Sequence, residues 1–269
     1  MRPRGIRAQL LDLLFPPRCQ VCRSFSDEPL CETCRGELLL IGERHCPCCG
    51  GPLRDAPPDA LPGALCADCR DGRWISGARS VGLHAGALRD AMIAYKFDRR
   101  TRLAETFAEM LIELFRREVS GERPGLPLER CCALIPVPLH PKRRAWRGFD
   151  QAKMLCDCIA RPIGLPVWAD ALERTRDTRP QTQLAGASRR ENVSGAFEAR
   201  RPWRLTRASL ILVDDVMTTG ATLDECARAL KRAGAASVYA LTVSRAAPGW
   251  HPASMMTDDA PSAGGSTDA

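Results

Sequence analysis

The sequence predicts an α/β fold built on an open parallel sheet, preceded by a small cysteine-rich module. Three observations lead there. Between residues 73 and 246, continuous apolar runs alternate with amphipathic segments. Four Cys-x-x-Cys pairs are crowded before residue 70. An apolar run at Ser209–Val213 leads into two adjacent aspartates and a threonine-rich turn.

Residues 1–72 are rich in Cys, Pro and Gly and show little periodicity. Nine of the 14 cysteines of the 269-residue chain lie here. The pairs are Cys19/Cys22, Cys31/Cys34, Cys46/Cys49 and Cys66/Cys69. A two-residue spacing lets both thiolates of a pair reach one tetrahedral ion, and eight thiolates suit two four-cysteine zinc sites. Such ions hold together a segment too poor in apolar residues to form a core. Sequential and interleaved pairing both satisfy the spacing. Cys48 and His45 are spare donors that could replace a ligand. The module is then a structural staple or a docking surface for a partner or nucleic acid.

Residues 73–246 supply the sheet and its helices. Leu88–Tyr95 and Leu103–Arg117 have helical spacing, and Cys131–Val137 reads as a buried strand. Gln151–Ile163 is helical, with Asp150 as its N-cap. Ser209–Val213 and Ser237–Val243 are buried strands flanking a helix at Ala221–Ala233, which Gly234 terminates. Strand–helix–strand alternation implies right-handed crossovers and parallel pairing. Cys131, Cys132, Cys156, Cys158 and Cys226 read as small apolar residues. Residues 247–269 are too polar and too rich in Gly, Pro and Ser to pack, and read as a disordered tail.

Composition narrows the function. Hydrophobic residues make up 45% and charged residues 26% of the chain, an ordinary globular balance. No stretch nears the roughly 20 apolar residues of a membrane span. The short apolar run Leu10–Phe15 contains Asp12, so it does not read as an export signal. A reducing cytoplasmic location follows, which favours zinc over disulfides at the paired cysteines. Net charge is +7 and almost all of the cations are arginine, because Lys96, Lys142, Lys153 and Lys231 are the only lysines. That excess reflects either codon bias or an anionic partner such as a polyphosphate sugar or nucleic acid.

The segment Leu210–Glu225 carries the sharpest chemistry. A strand is expected to end at Val213, with Asp214 and Asp215 at its carboxyl end. Thr218, Thr219, Gly220, Ala221 and Thr222 then form a small-residue turn opening a helix. Ligands of open α/β sheets bind beyond the carboxyl ends of the strands. A helix N-terminus attracts phosphate, threonines add hydroxyl donors, and glycine lets the backbone approach closely. Two carboxylates suit a pair of vicinal hydroxyls. A phosphate beside a diol describes a ribose 5-phosphate.

This segment resembles the phosphoribosyl diphosphate fingerprint of type I phosphoribosyltransferases. Together with the cysteine pairs, LRDAMIAYKFDRR, IPVPLHPKRRAWRGFDQAKML and RPQTQLAGASRRENVSGAF, it is similar in order and content to the ComF/GntX family. The resemblance implies a type I phosphoribosyltransferase-like open parallel sheet over 73–246 and a double zinc ribbon over 1–72. It implies that Asp214 and Asp215 hold the ribose hydroxyls and that Thr218–Thr222 hold the 5-phosphate. It also implies a magnesium ion bound with the phosphoribosyl diphosphate, and an association with DNA uptake during natural competence. In CPCCG, Cys48 is an added cysteine relative to the simpler family form.

Around this fingerprint stand further candidates. The segment Ile135–His140 ends a strand beside Lys142, Arg143, Arg144 and Arg147, and the resemblance makes this loop the diphosphate holder. Pro138 would stiffen it, and His140, Arg144 and Arg147 lie within it. Lys96 either neutralises a helix C-terminus or reaches the diphosphate. Residues 179–192 are polar and resemble the flexible loop that closes over the active site in this superfamily, or form an exposed linker. Nothing in the sequence marks a catalytic base or a nucleobase pocket. Two functions fit: a phosphoribosyltransferase with an unidentified acceptor, or a non-catalytic sensor handling single-stranded DNA with other competence proteins. For the second, Lys142–Arg147 and Arg200–Arg207, with Trp203 interleaved, are the candidate contacts.

Overall fold

The computed structural model describes residues 15–53, 63–121, 125–177 and 192–246. In chain order the elements begin with the short helices α1 (Glu32–Gly36) and α2 (Ala67–Arg70). Strand β1 (Gly77–Leu83) leads into helices α3 (Gly86–Phe97) and α4 (Leu103–Ser120), and β2 (Ala133–Pro136) into α5 (Pro141–Arg147) and α6 (Gln151–Ile163). A small hairpin, β3 (Leu172–Arg174) and β4 (Phe197–Ala199), precedes the single-turn α7 (Pro202–Leu205). Strand β5 (Ser209–Met217), helix α8 (Ala221–Arg232) and strand β6 (Ser237–Arg245) complete the series.

The main sheet has the order β1-β6-β5-β2 with every pair parallel. This is the open parallel sheet that the strand–helix alternation predicts, and it follows the cysteine-rich module as expected. Alternation along β5 explains the layering. Ile211 and Val213 face a core containing Leu88, Tyr95, Phe107 and Leu155 from α3, α4 and α6. Leu210 and Leu212 face a second core containing Leu223, Cys226 and Leu230 from α8. Tyr95 is fully buried, stacks edge-to-face on Phe107 and Phe149 at 5.5 Å, and donates its hydroxyl to the Gln151 carbonyl at 3.1 Å. This pins the start of α6 to the end of α3.

The cysteine module is packed onto both layers. Cys19, Leu30 and Cys34 join the α3/α4 core, whereas Cys46, Cys49 and Cys69 join the α8 core. The chain between them runs along β1. Ile41 N–H donates to Val81 O at 3.1 Å, Leu83 N–H to Leu39 O at 2.7 Å and Ala78 N–H to Cys48 O at 2.8 Å. Gly50 permits this approach, because a Cβ there would stand 2.5 Å from Ala78 O.

Several expected boundaries move. Strand β5 does not end at Val213. It pairs with β6 through Met217↔Arg245, so both aspartates lie inside the strand. Its pairing with β2 does stop, at Pro136↔Val213. The basic segment after Pro138 is helix α5 rather than a loop, with proline in its first turn and His140 as N-cap. Cys131 and Cys132 precede β2; Cys132 is exposed and does not serve as a core residue, whereas Cys158 is half-buried against the α3/α4 core. Helix α6 spans Gln151–Ile163 as expected, capped by the Asp150 carboxylate at one end and by Gly164 at φ +73° at the other. Gly234 follows α8 at φ +105°. The 247–269 tail and residues 179–191 of the expected flexible loop lie outside the described residues. Among the described residues no helix is long and apolar enough to cross a membrane.

Candidate functional site

Two clusters of four cysteines stand out, with all four sulfurs of each within 4.8 Å of one another. They are Cys19, Cys22, Cys31 and Cys34, then Cys46, Cys49, Cys66 and Cys69. Pairing is therefore sequential, and Cys48 and His45 belong to neither cluster. A tetrahedral zinc ion at about 2.3 Å from each sulfur spaces the sulfurs about 3.8 Å apart. Cys19–Cys34 lie 3.8 Å apart, and Cys22–Cys31 and Cys49–Cys66 lie 3.6 Å apart. Backbone N–H groups of Val21 and Cys31 donate to Cys19 Sγ at 3.4 Å, and that of Cys66 donates to Cys46 Sγ at 3.4 Å. Such donors favour thiolates, the form that binds metal. The Cys22 thiol is pushed down to about 6, chiefly by the Ser24 hydroxyl, and Cys46 to about 4, chiefly by its hydrogen bond with Cys49. Donor set and spacing fit two structural zinc ions.

The second centre is wired to the sheet by arginines. Arg245, at the end of β6, donates to Cys49 O at 3.0 Å and to Cys49 Sγ at 3.3 Å. Arg73, just past Cys69, donates to Thr219 O at 3.0 Å. Next to it, the amides of Trp74 and Ile75 donate to Asp224 Oδ1 at 2.8 and 3.1 Å. The first centre is held differently: Arg100 donates to the Gln20 carbonyl at the end of α3.

Where β2 stops and β5 continues, a cleft of about 140 Å³ opens at the carboxyl ends of the strands. Lys96, Pro138, Arg143, Arg147, Gln151, Arg174, Asp214, Asp215 and Thr222 line it. Strand alternation sends the two acids to opposite sides of β5. Asp215, only 6% exposed, meets Lys96 Nζ at 2.8 Å on the α3 side. Asp214 lies on the α8 side, within electrostatic reach of Arg174 and Cys226. Its Oδ1 accepts from the Asp215 N–H at 2.9 Å. Desolvation pushes the Asp214 carboxyl up to about 8, with repulsion from Asp215 adding to it and Lys96 opposing it. Burial and then the Lys96 charge lower the pKa of nearby His84, whose Nδ1 lies 3.0 Å from Ser244 Oγ.

The turn after β5 reaches the cleft through Thr222, whereas Ala221 lines a separate cavity with Arg73 and Asp224. Gly220 adopts φ +77°, and a Cβ there would stand 2.5 Å from Met217 Cε and 3.0 Å from Arg73 Nη1. The Ala221 N–H, at the start of α8, lies 3.4 Å from Thr219 Oγ1. Opposite, Arg147 Nη1 donates to Gln151 Oε1 at 2.9 Å. Arg147 Nε and Gln151 Nε2 are buried with no hydrogen-bond partner among the described residues. Unmet donors of this kind are costly unless a ligand or water satisfies them.

Of the residues singled out in the sequence, Lys96, Pro138, Arg147, Asp214, Asp215 and Thr222 line this cleft. His140 does not. Its Nδ1 accepts from Lys142 N at 3.4 Å and lies 3.6 Å from Asp177. Arg144 lines an adjoining cavity of about 530 Å³ that shares Pro138, Leu139 and Arg174 with the cleft. Arg143, one of the cations expected beside the diphosphate loop, also lines the cleft, whereas Gln151, Arg174 and, behind the turn, Arg73 were not singled out as site residues, because tertiary packing brings them here. A third cavity, of about 470 Å³, lies behind α4, where Arg79 and Glu118 pair at 3.0 Å and neutralise each other. Glu43 and Glu118 give it carboxylates, but no threonine lines it.

A family model described as a double zinc ribbon domain matches residues 10–70. The DNA utilization protein YhgH of Salmonella typhimurium is 30% identical over 238 residues, covering 87% of this chain and 99% of the relative. Competence protein ComFC of Bacillus subtilis is 28% identical over 227 residues, covering 81% and 85% of the two chains. Competence protein F of Haemophilus influenzae is 27% identical over 240 residues, covering 86% and 98%. Among solved structures, the glutamine phosphoribosylpyrophosphate amidotransferase of B. subtilis complexed with ADP and GMP aligns with a TM-score of 0.36 at 18% identity. That alignment covers 56% of this chain and 30% of the other. With near-complete relatives at this identity, sequential cysteine pairing and the five motifs in order, the chain belongs to the ComF/GntX family.

Proposed function

We propose that the cleft between β2 and β5 binds phosphoribosyl diphosphate with magnesium. The observation that carries this reading is the meeting of opposite chemistries in one cleft. Two carboxylates, Asp215 beside Lys96 on the α3 side of β5 and Asp214 on its α8 side, line the cleft together with basic residues and the unmet donors Arg147 Nε and Gln151 Nε2. Asp214 and Asp215 hold the ribose hydroxyls. Thr218, Thr219, Gly220, Ala221 and Thr222 hold the 5-phosphate through backbone N–H and hydroxyl donors. Lys96 and Arg147 face the diphosphate, and Pro138 stiffens the backbone beside it. Magnesium, held mainly by the ligand's own oxygens beside the two acids, neutralises charge on the diphosphate. Residues 73–246 form the ligand-binding unit, and residues 1–72 form its zinc module.

As a transferase, the protein acts by positioning the sugar and neutralising the leaving diphosphate. The acceptor attacks the anomeric carbon as the C–O bond to diphosphate breaks. The relatives' names place those proteins in DNA utilization and competence. This chain is assigned the same setting, in a reducing cytoplasm. A second reading, a non-catalytic sensor that handles single-stranded DNA, is favoured by one observation. Trp146 and Phe97 are 67% and 54% exposed and meet edge-to-face at 6.1 Å, with the Arg147 guanidinium over the Phe97 ring. The Arg200–Arg207 stretch is weaker support, since Arg200 and Arg201 pair with Glu173 and Asp170 at 2.6 and 2.8 Å.

Calorimetric titration with phosphoribosyl diphosphate and magnesium tests the site. Wild type is expected to bind, and the Asp214→Asn/Asp215→Asn double variant to lose at least about a hundredfold in affinity while keeping its fold. Equal affinity in the two proteins refutes the assignment. Diphosphate release with candidate acceptors then separates the transferase from the sensor.

A further inference from the structure

The cysteine module and the phosphate-binding turn are far apart in the sequence, yet one side chain spans them. Arg73 stands four residues after Cys69. Its Nη1 donates to the Thr219 carbonyl at 3.0 Å and its Nη2 to the Asp68 carbonyl, in the second cysteine centre, at 3.4 Å. Cys69, Asp224 and Cys49 all lie within electrostatic reach of the guanidinium. A zinc ion with four thiolates carries net negative charge, which holds a neighbouring guanidinium in place. Arg73 is therefore anchored at the metal centre and grips the turn from behind.

The grip falls at the point that decides the shape of the turn. Thr219 O belongs to the residue before Gly220, the left-handed position that starts α8. The Gly220 Cα faces Arg73 so closely that a methyl group there would lie 3.0 Å from Nη1. Asp224, in the first turn of the same helix, accepts from Trp74 and Ile75. Arg245, the strand residue paired with Met217 immediately before the turn, donates to the Cys49 carbonyl and sulfur. No comparable link joins the first centre to the turn among the described residues.

We infer that Arg73 is a positioning residue through which the second cysteine centre holds the phosphate-binding turn in its binding shape. The first centre has no part in this. Only the ligand-affinity arm of the test rests on the phosphoribosyl diphosphate reading. The link itself is read without ligand.

The test compares full-length wild type with Arg73→Ala, Arg73→Lys and, as a matched tether at the first centre, Arg100→Ala. Metal content, amide hydrogen exchange over residues 218–223 and calorimetric affinity for phosphoribosyl diphosphate with magnesium are measured for each. Arg73→Lys keeps a cation beside the thiolates, and so the zinc, but one ammonium cannot span both contacts. Both Arg73 variants are expected to keep two zinc ions per chain. Exchange at the turn should accelerate about tenfold and affinity should fall about tenfold, the worth of one charge-assisted hydrogen bond. Arg100→Ala is expected to change neither. Wild-type exchange at the turn in both Arg73 variants, or equal loosening in Arg100→Ala, overturns the inference. A loosened turn with unaltered affinity overturns its functional half. If wild type itself binds no ligand, the proposed function fails, while the exchange comparison still decides the link.

Discussion

Lys96 Nζ and Asp215 Oδ1 meet at 2.8 Å at the place where β5 outruns β2 and the cleft begins. The pair joins the end of α3 to the end of the sheet, and each partner is mostly shielded from water. Under the proposed function, the lysine neutralises the carboxylate until ligand arrives, and a bound diphosphate would draw the ammonium away as the sugar hydroxyls take over the carboxylate.

Replacing Lys96 by methionine keeps the bulk and removes the charge. Asp215 then stands without its cation. Stability at pH 7 is expected to fall by about 2–4 kcal/mol, since removing one partner leaves the other charge buried. Urea unfolding at pH 7 checks this.

The elevated carboxyl of Asp214 makes a signed prediction. Its folded pKa of about 8 lies above an unfolded value of about 3.9, so the protonated form stabilises the fold. That contribution is complete below about pH 4 and is lost as pH rises through about 8. Asp214→Asn, permanently neutral, should therefore gain stability relative to wild type between pH 5 and pH 9. Ligand binding needs the charged acceptor, so wild-type affinity should rise over the same span while the variant's stays flat. Thermal unfolding and calorimetry across that range test both statements.

The two cysteine centres should respond separately. Cys19 is fully buried among Leu30, Cys34 and the α3/α4 core. Cys19→Ser is expected to lower zinc from two ions to one per chain and to cost at least about 2 kcal/mol. Because the second centre sits on the opposite face, the Thr218–Thr222 turn should keep its hydrogen-exchange protection. Metal analysis with exchange mass spectrometry reads both.

Much of this architecture is legible in the residues themselves. The spacing of the cysteines announces the two centres. Asp150 and Gly164 bracket α6 because capping is a local matter. Strand β5 is harder: aspartates are poor strand formers, and pairing with β6 rather than propensity carries the strand past Val213. Strand β1 is hidden because Arg79, Ser80 and two glycines interrupt its apolar character. Every residue of it is nevertheless buried, with Arg79 paired to Glu118 from α4. Helix α5 buries no side chain, so it has no apolar period to detect. The cleft is only half visible. Its acids and threonines share one stretch of chain, whereas Arg174 and Gln151 arrive from other elements through tertiary packing.

The backbone contacts that Leu39, Ile41 and Cys48 make along β1 have a further consequence. An outer strand with unsatisfied amides is a template for strand addition by another molecule. Here residues 39–48 cover that rim, and metal ions on either side pin the cover down. A fragment starting at Arg73 would uncover the whole length of β1 and is expected to self-associate into sheet-rich aggregates. The module thus shields an edge strand that would otherwise stand open to strand addition.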